Sequence, residues 1–103
     1  MNKYGLIVKF KTHQDTRDAF ISILLQAARS VQNLKGCHQY TIAKDVANED
    51  IVIVSEIWDT KEEHDNSLKM EGSKEFIAQA MPLLNGRPET TTLEIIDGNK
   101  ANQ

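Results

Sequence analysis

The eight-residue run Ile51–Trp58 constrains the fold of this chain more than any other stretch. It reads IVIVSEIW, with apolar side chains at both alternating positions. Side chains alternate between the two faces of a strand, so such a run is typical of a strand that is covered on both faces. Immediately afterwards, Thr60 stands three residues before Glu63, which is the spacing of a helix capping box. The sequence therefore predicts a buried strand that passes at once into a helix carrying His64.

The composition is that of an ordinary globular domain and limits the possible partners. Of the 103 residues, 40% are apolar and 26% charged. We expect one domain over residues 1–103, with a core at about 4–97 and a frayed tail at 98–103. The net charge of −3, without any basic stripe, argues against nucleic acid as the main partner.

Membrane attachment and disulfide bonding are not expected either. No apolar run is long enough to cross a bilayer, and the first residues follow a strand pattern rather than that of a signal peptide. The single cysteine, Cys37, excludes an internal disulfide framework and is typical of a reducing compartment. We therefore expect a cytoplasmic protein with no membrane partner.

Three further strands are predicted. Residues 4–11 alternate between apolar and polar side chains, which indicates a first strand. A polar turn at residues 45–50 joins a second strand, Cys37–Lys44, to Ile51–Trp58, so these two should form a hairpin. The β-branched residues of 89–97 form the last strand.

Two helical regions separate these strands. Apolar residues recur at spacings of three and four over residues 17–33, which predicts an amphipathic helix with Gly36 as its C-cap. The second region begins at Lys61 and is interrupted, so that Ser73 can cap a further segment. That segment should bend or stop near Pro82.

The order β-α-β-β-α-β predicts an α+β fold, the ferredoxin-like antiparallel sheet with both helices on one face. Two helices cover only one side of a sheet, yet the central strand Ile51–Trp58 is apolar on both. A second copy of the same sheet is the simplest cover for the other side. We therefore expect a homodimer with its sheets packed face to face and a cavity between sheet and helices in each subunit.

One charged residue, Glu56, interrupts the apolar run. A buried carboxylate must be paired or protonated, and we favour an ion pair with Lys9 or Lys44 over a role as a second proton acceptor. No two histidines or cysteines stand at metal-ligand spacing, and the five glycines form no phosphate loop. We expect no metal and no nucleotide or flavin cofactor.

Several motifs resemble those of the antibiotic biosynthesis monooxygenase (ABM) family. They are Gly-Cys-x-x-Tyr at residues 36–40, Glu-x-Trp at 56–58, the segment WDTKEEHDNSL at 58–68, and Pro-Leu-Leu-x-Gly at 82–86. The last two are similar to a branch described as quinol monooxygenases. The resemblance covers about residues 4–97 and implies a dimeric α+β barrel. In characterised relatives, it also implies oxygenation of electron-rich aromatics by O₂ without metal or flavin.

The resemblance also suggests the catalytic residues. Carried over by position, Trp58 would line the cavity beside the substrate, although a tryptophan that ends a buried strand is also ordinary core packing. His64 would stand where some members keep a catalytic group. Imidazole exchanges protons near neutral pH, so His64 is our general-base candidate, and a surface histidine among acidic neighbours is the alternative.

Four further residues are expected to bind the substrate. Tyr40 would donate a hydrogen bond into the cavity or lie in the core, and Ser67 would share the helix face of His64. Phe20 and Phe76, one from each helical region, complete the set. The family pattern is not fully matched, because many members carry a histidine where this chain has Ser67.

Three functions are compatible with these residues. The first is a cofactor-independent monooxygenase that oxidises a small aromatic quinol or phenol with O₂, with His64 as base. The second is a dimeric binding or stress-related module that holds a small apolar metabolite, such as an aromatic or quinone-like molecule, without oxidising it. The third is an isomerase of a small carbonyl compound that uses the same base without O₂.

Overall fold

The computed structural model describes residues 2–96, which form one four-stranded antiparallel sheet with helices on one face. In chain order the elements are β1 (Lys3–Lys11), α1 (Arg17–Val31), β2 (Cys37–Lys44), β3 (Ile51–Trp58), α2 (Lys61–Ser67), α3 (Ser73–Ala80), a 3₁₀ turn (Met81–Leu83) and β4 (Glu89–Ile95). The strand order is β2-β3-β1-β4, which confirms the ferredoxin-like arrangement. Asp97 and the predicted tail at 98–103 lie outside the described residues.

The core lies between β3 and α1. Phe20 and Leu24 of α1 pack on Val52 and Val54 of β3, and all four side chains are buried. These valines alternate with isoleucines along the strand, as the sequence predicts, so only one of its two apolar faces meets a helix. Burial of this layer is the main stabilising contribution within the chain.

The link from α1 to β2 differs from the expectation. The helix ends at Val31 rather than at residue 33, and Gln32 follows it in a right-handed helical conformation. Gly36 is therefore not a helix C-cap. It is buried where the chain passes close to α2, and a Cβ at this position would collide with the carboxylate of Glu63. A larger residue at this position would therefore displace the exposed Glu63 side chain.

The break between α2 and α3 follows the sequence pattern with one change. Thr60 Oγ1 accepts a hydrogen bond from the backbone N–H of Glu63 at 3.1 Å, which confirms the predicted cap. The residue before α3 is Gly72, at φ 93°, and the Ser73 hydroxyl instead donates to the carbonyl of Ser67 at 2.9 Å. This bond ties the start of α3 to the end of α2.

The outer face of the sheet carries apolar side chains and no helix of the described chain. Cross-strand partners place Gly5, Ile57 and Leu93 together on it, and strand alternation adds Ile7, Ile53 and Ile95. Ile7 is 39% exposed. An apolar surface of this kind marks an interaction site more often than a free surface.

None of the helices within residues 2–96 has the length and apolarity needed to cross a membrane.

Candidate active site

A cavity of about 450 Å³ separates the sheet from the helices. Alternate residues of β1 form its floor, and α1 and α3 form its walls, with an acidic and an imidazole side chain among the otherwise mainly apolar lining. Its volume lies within the range of sites that bind small organic molecules. The cavity is therefore the candidate site, and its ionisable groups decide what chemistry it can perform.

Glu56 is the acidic group of the cavity. It occupies the helix-facing side of β3, between Leu6 of β1 and Tyr40 of β2 as cross-strand partners, and it is 9% exposed. Its Oε1 accepts a hydrogen bond from the indole Nε1–H of Trp58 at 2.9 Å. Among the described residues its Oε2 makes no hydrogen bond, and no buried polar side-chain atom is left without a partner, so Oε2 retains access to the cavity.

The expected ion pair of Glu56 with Lys9 or Lys44 is wrong. Lys9 lies on the outer face of the sheet, where its ammonium is 3.9 Å from Glu89, because its position in β1 has the opposite parity to Leu6. Lys44 is the cross-strand partner of Val52 and stands at the far end of the hairpin from Glu56. With no cation from lysine beside it, the carboxyl of Glu56 faces the apolar cavity.

This environment changes the proton affinity of Glu56. Burial raises its pKa above the ordinary value because the charged form loses its hydration. The hydrogen bond from Trp58, and the charge of His64 when its imidazole is protonated, act in the opposite direction and offset burial only in part. A carboxyl with a raised pKa exchanges protons closer to neutral pH, as catalytic carboxyls often do.

His64 faces Glu56 from α2. Its Nε2 lies 3.9 Å from Glu56 Oε1, and its side chain is 13% exposed. The opposite ring nitrogen, Nδ1, lies 3.1 Å from Asp65 Oδ1. A carboxylate only accepts hydrogen bonds, so this contact places the imidazole hydrogen on Nδ1 and leaves the Nε2 lone pair towards Glu56 and the cavity.

Asp65 is held in place by a second contact. Lys61, one turn earlier on α2, donates to Asp65 Oδ2 at 2.6 Å. The hydrogen bonds from Lys61 and His64 hold the pKa of Asp65 below its usual value, so this carboxyl stays ionised. An ionised carboxylate on one side of an imidazole fixes the orientation of the ring.

All four predicted substrate-binding residues line the cavity, at different points. Tyr40 lies beside Glu56, and burial raises the pKa of its phenol strongly, so it remains a hydrogen-bond donor. Ser67 also lines the cavity, although its hydroxyl donates to the His64 carbonyl at 2.6 Å. Phe20 packs on Phe10 with ring centroids 4.9 Å apart, far from His64, and Phe76 belongs to the α3 wall.

The structure places Trp58 differently from the expectation. The indole is 1% exposed and is not among the side chains that line the cavity. Its ring lies edge-on to His64, with centroids 5.8 Å apart, and its N–H is engaged by Glu56. The expectation that Trp58 lines the cavity is therefore corrected: the indole supports Glu56 and His64 from behind.

Sequence reasoning missed two members of this cluster and gave a third the wrong partner. Tyr4 packs on His64 with ring centroids 5.8 Å apart, and Asp65 bonds the imidazole. Glu56 was considered as a second proton acceptor but assigned to an ion pair, although a single carboxyl in an apolar strand is a usable signal. Within residues 2–96, no three side chains of His, Cys, Asp or Glu converge as metal ligands.

We predict that Glu56 titrates above the ordinary range of glutamate and that Trp58→Phe raises its pKa further. The variant keeps an aromatic ring but removes the N–H donor that favours the carboxylate. Carbon-13 NMR titration of the side-chain carboxyl measures both values. Because the folded pKa is raised, the wild type also loses stability relative to Glu56→Gln as the pH rises from the unfolded pKa through the folded one. An ordinary titration pH in the wild type, or a lower one in Trp58→Phe, would contradict this account.

Comparison with known proteins agrees with this fold. The family described as antibiotic biosynthesis monooxygenase matches residues 3–79. No curated protein matches the chain. A solved protein of Chloroflexus aurantiacus J-10-fl, assigned to the same family, is 32% identical over 94% of this chain and 96% of its own, with a TM-score of 0.84.

More distant structures share the fold. SnoaB of Streptomyces nogalater, a cofactor-independent oxygenase, is 12% identical over 95% of this chain and 97% of its own, with a TM-score of 0.81. Rv0793 of Mycobacterium tuberculosis is 19% identical over 93% of this chain and 97% of its own, with a TM-score of 0.84. The family match over most of the chain and the 32% identical structure lead to one conclusion: the chain belongs to the antibiotic biosynthesis monooxygenase family.

Proposed function

We propose that this protein is a cofactor-independent monooxygenase that oxidises a small aromatic quinol or phenol with O₂. One observation carries the proposal: the buried carboxyl of Glu56 and the imidazole of His64 meet at 3.9 Å on the wall of an apolar cavity. An apolar cavity accepts an aromatic ring, and an acid–base pair at its wall accepts the proton of a ring hydroxyl. Family membership and the fold shared with SnoaB support oxygenation over other uses of such a pair.

The reaction balances without an external reductant. Loss of the hydroxyl proton makes the ring electron-rich, and a C–O bond then forms between a ring carbon and O₂. The O–O bond of the resulting hydroperoxide breaks and releases water, leaving a carbonyl at that carbon. One quinol and one O₂ thus give one hydroxylated quinone and one water, and the substrate supplies all four electrons. The protein therefore only has to bind the substrate, orient it and remove its hydroxyl proton.

We assign the proton to Nε2 of His64, with Glu56 as its partner. The contact of Nδ1 with Asp65 directs Nε2 towards the cavity and stabilises the imidazolium that forms. Tyr40 donates a hydrogen bond to the substrate oxygen from the neighbouring strand, since its phenol stays protonated. Trp58 is a positioning residue, because its N–H fixes one oxygen of Glu56 and leaves the other facing the cavity.

We further propose that the protein acts as a homodimer. The apolar outer face of the sheet supports this, since a second copy would bury Ile7, Ile53 and the neighbouring Leu93 against their own equivalents. The cavity lies on the opposite side of the sheet, so each subunit keeps its own site.

The oxygenase proposal predicts a specific loss in His64→Ala. Oxygen uptake with a panel of bicyclic quinols and anthrone-like phenols should exceed the autoxidation rate in the wild type. Removal of the imidazole should lower kcat by about 10²–10⁴-fold, the usual contribution of a general base. His13→Ala is the matched control, since His13 is exposed in a loop away from the cavity and should leave the rate unchanged.

Two outcomes would count against the proposal. No O₂ uptake above autoxidation with any member of the panel would remove the oxygenase function and favour a binding module. Full kcat in His64→Ala would rule out His64 as the base while leaving oxygenation in place. Incorporation of one ¹⁸O atom per product from ¹⁸O₂ separates oxygenation from simple oxidation of the quinol.

The dimer proposal predicts that charges on the outer face separate the subunits. Ile7→Lys combined with Ile53→Lys would bury four unpaired ammonium groups in a face-to-face dimer, which is unfavourable. Light scattering should therefore give the mass of two chains for the wild type and of one chain for this variant. Val46→Lys, in the fully exposed β2–β3 turn, is the control and should remain dimeric. A wild-type mass of one chain at micromolar concentration would contradict the dimer.

A further inference from the structure

The cavity extends along the whole length of the sheet. Its floor runs from Tyr4 to Phe10 on β1, six residues apart, which corresponds to about 20 Å of extended strand. The α1 wall runs alongside from Phe20 to Val31 in the opposite direction, which corresponds to about 16 Å of helix. The site is therefore elongated, and different kinds of side chain line its two ends.

The ionisable groups of the cavity lie at one end only. Glu56 and His64 stand beside Tyr4, at the start of β1. Six residues along the same strand, Phe10 packs on Phe20, and Leu84 closes that end. The cavity lining thus changes from a carboxyl and an imidazole at one end to mainly apolar side chains at the other.

One side of the cavity is open. Ile77 of α3 and Met81 of the following 3₁₀ turn line the cavity and yet are 49% and 59% exposed. Thr90 and Thr92 of the edge strand β4 line it from the opposite side. These exposed lining residues give a ligand a route into the cavity between α3 and β4.

We propose that the natural ligand is an elongated amphipathic molecule, with a hydroxylated aromatic ring at Glu56 and His64 and a linear apolar tail that extends to Phe10 and Phe20. The identity of the ring rests on the proposed function, whereas the tail rests on the shape and polarity of the cavity. A ring alone would occupy the polar end of the cavity. Water would then stay in contact with the apolar side chains at the far end, which is unfavourable. A tail displaces that water and buries its own surface.

Ring-matched phenols that differ only in tail length test this inference. The series is 4-methylphenol, 4-butylphenol and 4-octylphenol, and binding is measured by calorimetry without O₂, so that no turnover is needed. The dissociation constant should fall by about fourfold per added methylene until the far end is filled. Wild-type protein with the same dissociation constant for all three phenols would overturn the proposal.

Two variants locate the ring and the tail. Ala80→Phe places a ring at the far end of the cavity, beside Leu84, and should abolish the gain from butyl to octyl while leaving 4-methylphenol binding unchanged. Ala78→Phe adds the same group at an exposed position on the same helix and should keep the full gain.

Glu56→Gln tests the position of the ring and should weaken the binding of all three phenols by the same factor. An Ala80→Phe protein with the wild-type dependence on tail length would overturn the proposal, and the wild-type series stands as a test even if this variant does not fold.

The experiments distinguish failure of the elongated-ligand proposal from failure of the oxygenase proposal. A clear dependence on tail length, with no O₂ uptake for any quinol, would contradict oxygenation and support the elongated ligand. Uptake of O₂ with tail-less quinols, together with equal binding of all three phenols, would support oxygenation and overturn the elongated ligand.

Discussion

The hydrogen bond from the Trp58 indole to Glu56 is the interaction on which the candidate site depends. A carboxyl in an apolar layer is costly unless it is hydrogen-bonded, and this bond satisfies one of its two oxygens. Both residues belong to β3 and point to the same side, two positions apart, so the strand itself sets their geometry. The second oxygen is left for a ligand, while the imidazole of His64 lies 3.9 Å from the oxygen that the indole bonds. The raised pKa of Glu56 follows from the same arrangement.

The rest of the fold holds His64 against this pair. The cap at Thr60 begins α2 directly after β3, which fixes His64 about one turn from the end of the strand. Gly36 allows the segment before β2 to pass close to Glu63 of that helix. Asp65 and Lys61 then orient the imidazole from its solvent side. Each contact is local, yet together they place an acid and a base on one wall of a cavity that is otherwise mainly apolar.

Local patterns in the sequence predict much of this arrangement. The bounds of β2 and β3, the cap at Thr60 and the order of the elements follow from alternation, periodicity and capping, which depend on neighbouring residues. The end of α1, five residues before Gly36, was not predicted, because the glycine lies at a close approach to Glu63 of α2 rather than at the helix end.

The partners of side chains in the site were predicted less well. Strand parity shows that Glu56 and Trp58 share a face, but it does not say whether the carboxyl meets a lysine or an indole. The difference arises because Lys9 has the opposite parity on β1, which only the register between β1 and β3 reveals. Likewise, the indole of Trp58 could turn into the cavity or away from it, and the hydrogen bond to Glu56 decides this. Local sequence patterns therefore do not predict the register between distant strands or the rotamer of a side chain.

The central claim is that the Glu56–His64 end of the cavity removes the proton of a ring hydroxyl. A bound chromophoric phenol tests this most directly, because 4-nitrophenol and its anion absorb at different wavelengths. The account predicts that 4-nitrophenol bound to the wild type shows the phenolate band at a pH where the free compound is neutral. It also predicts that the band is lost when Glu56 and His64 are both replaced by glutamine. A bound phenol that stays neutral at that pH in the wild type would contradict the account.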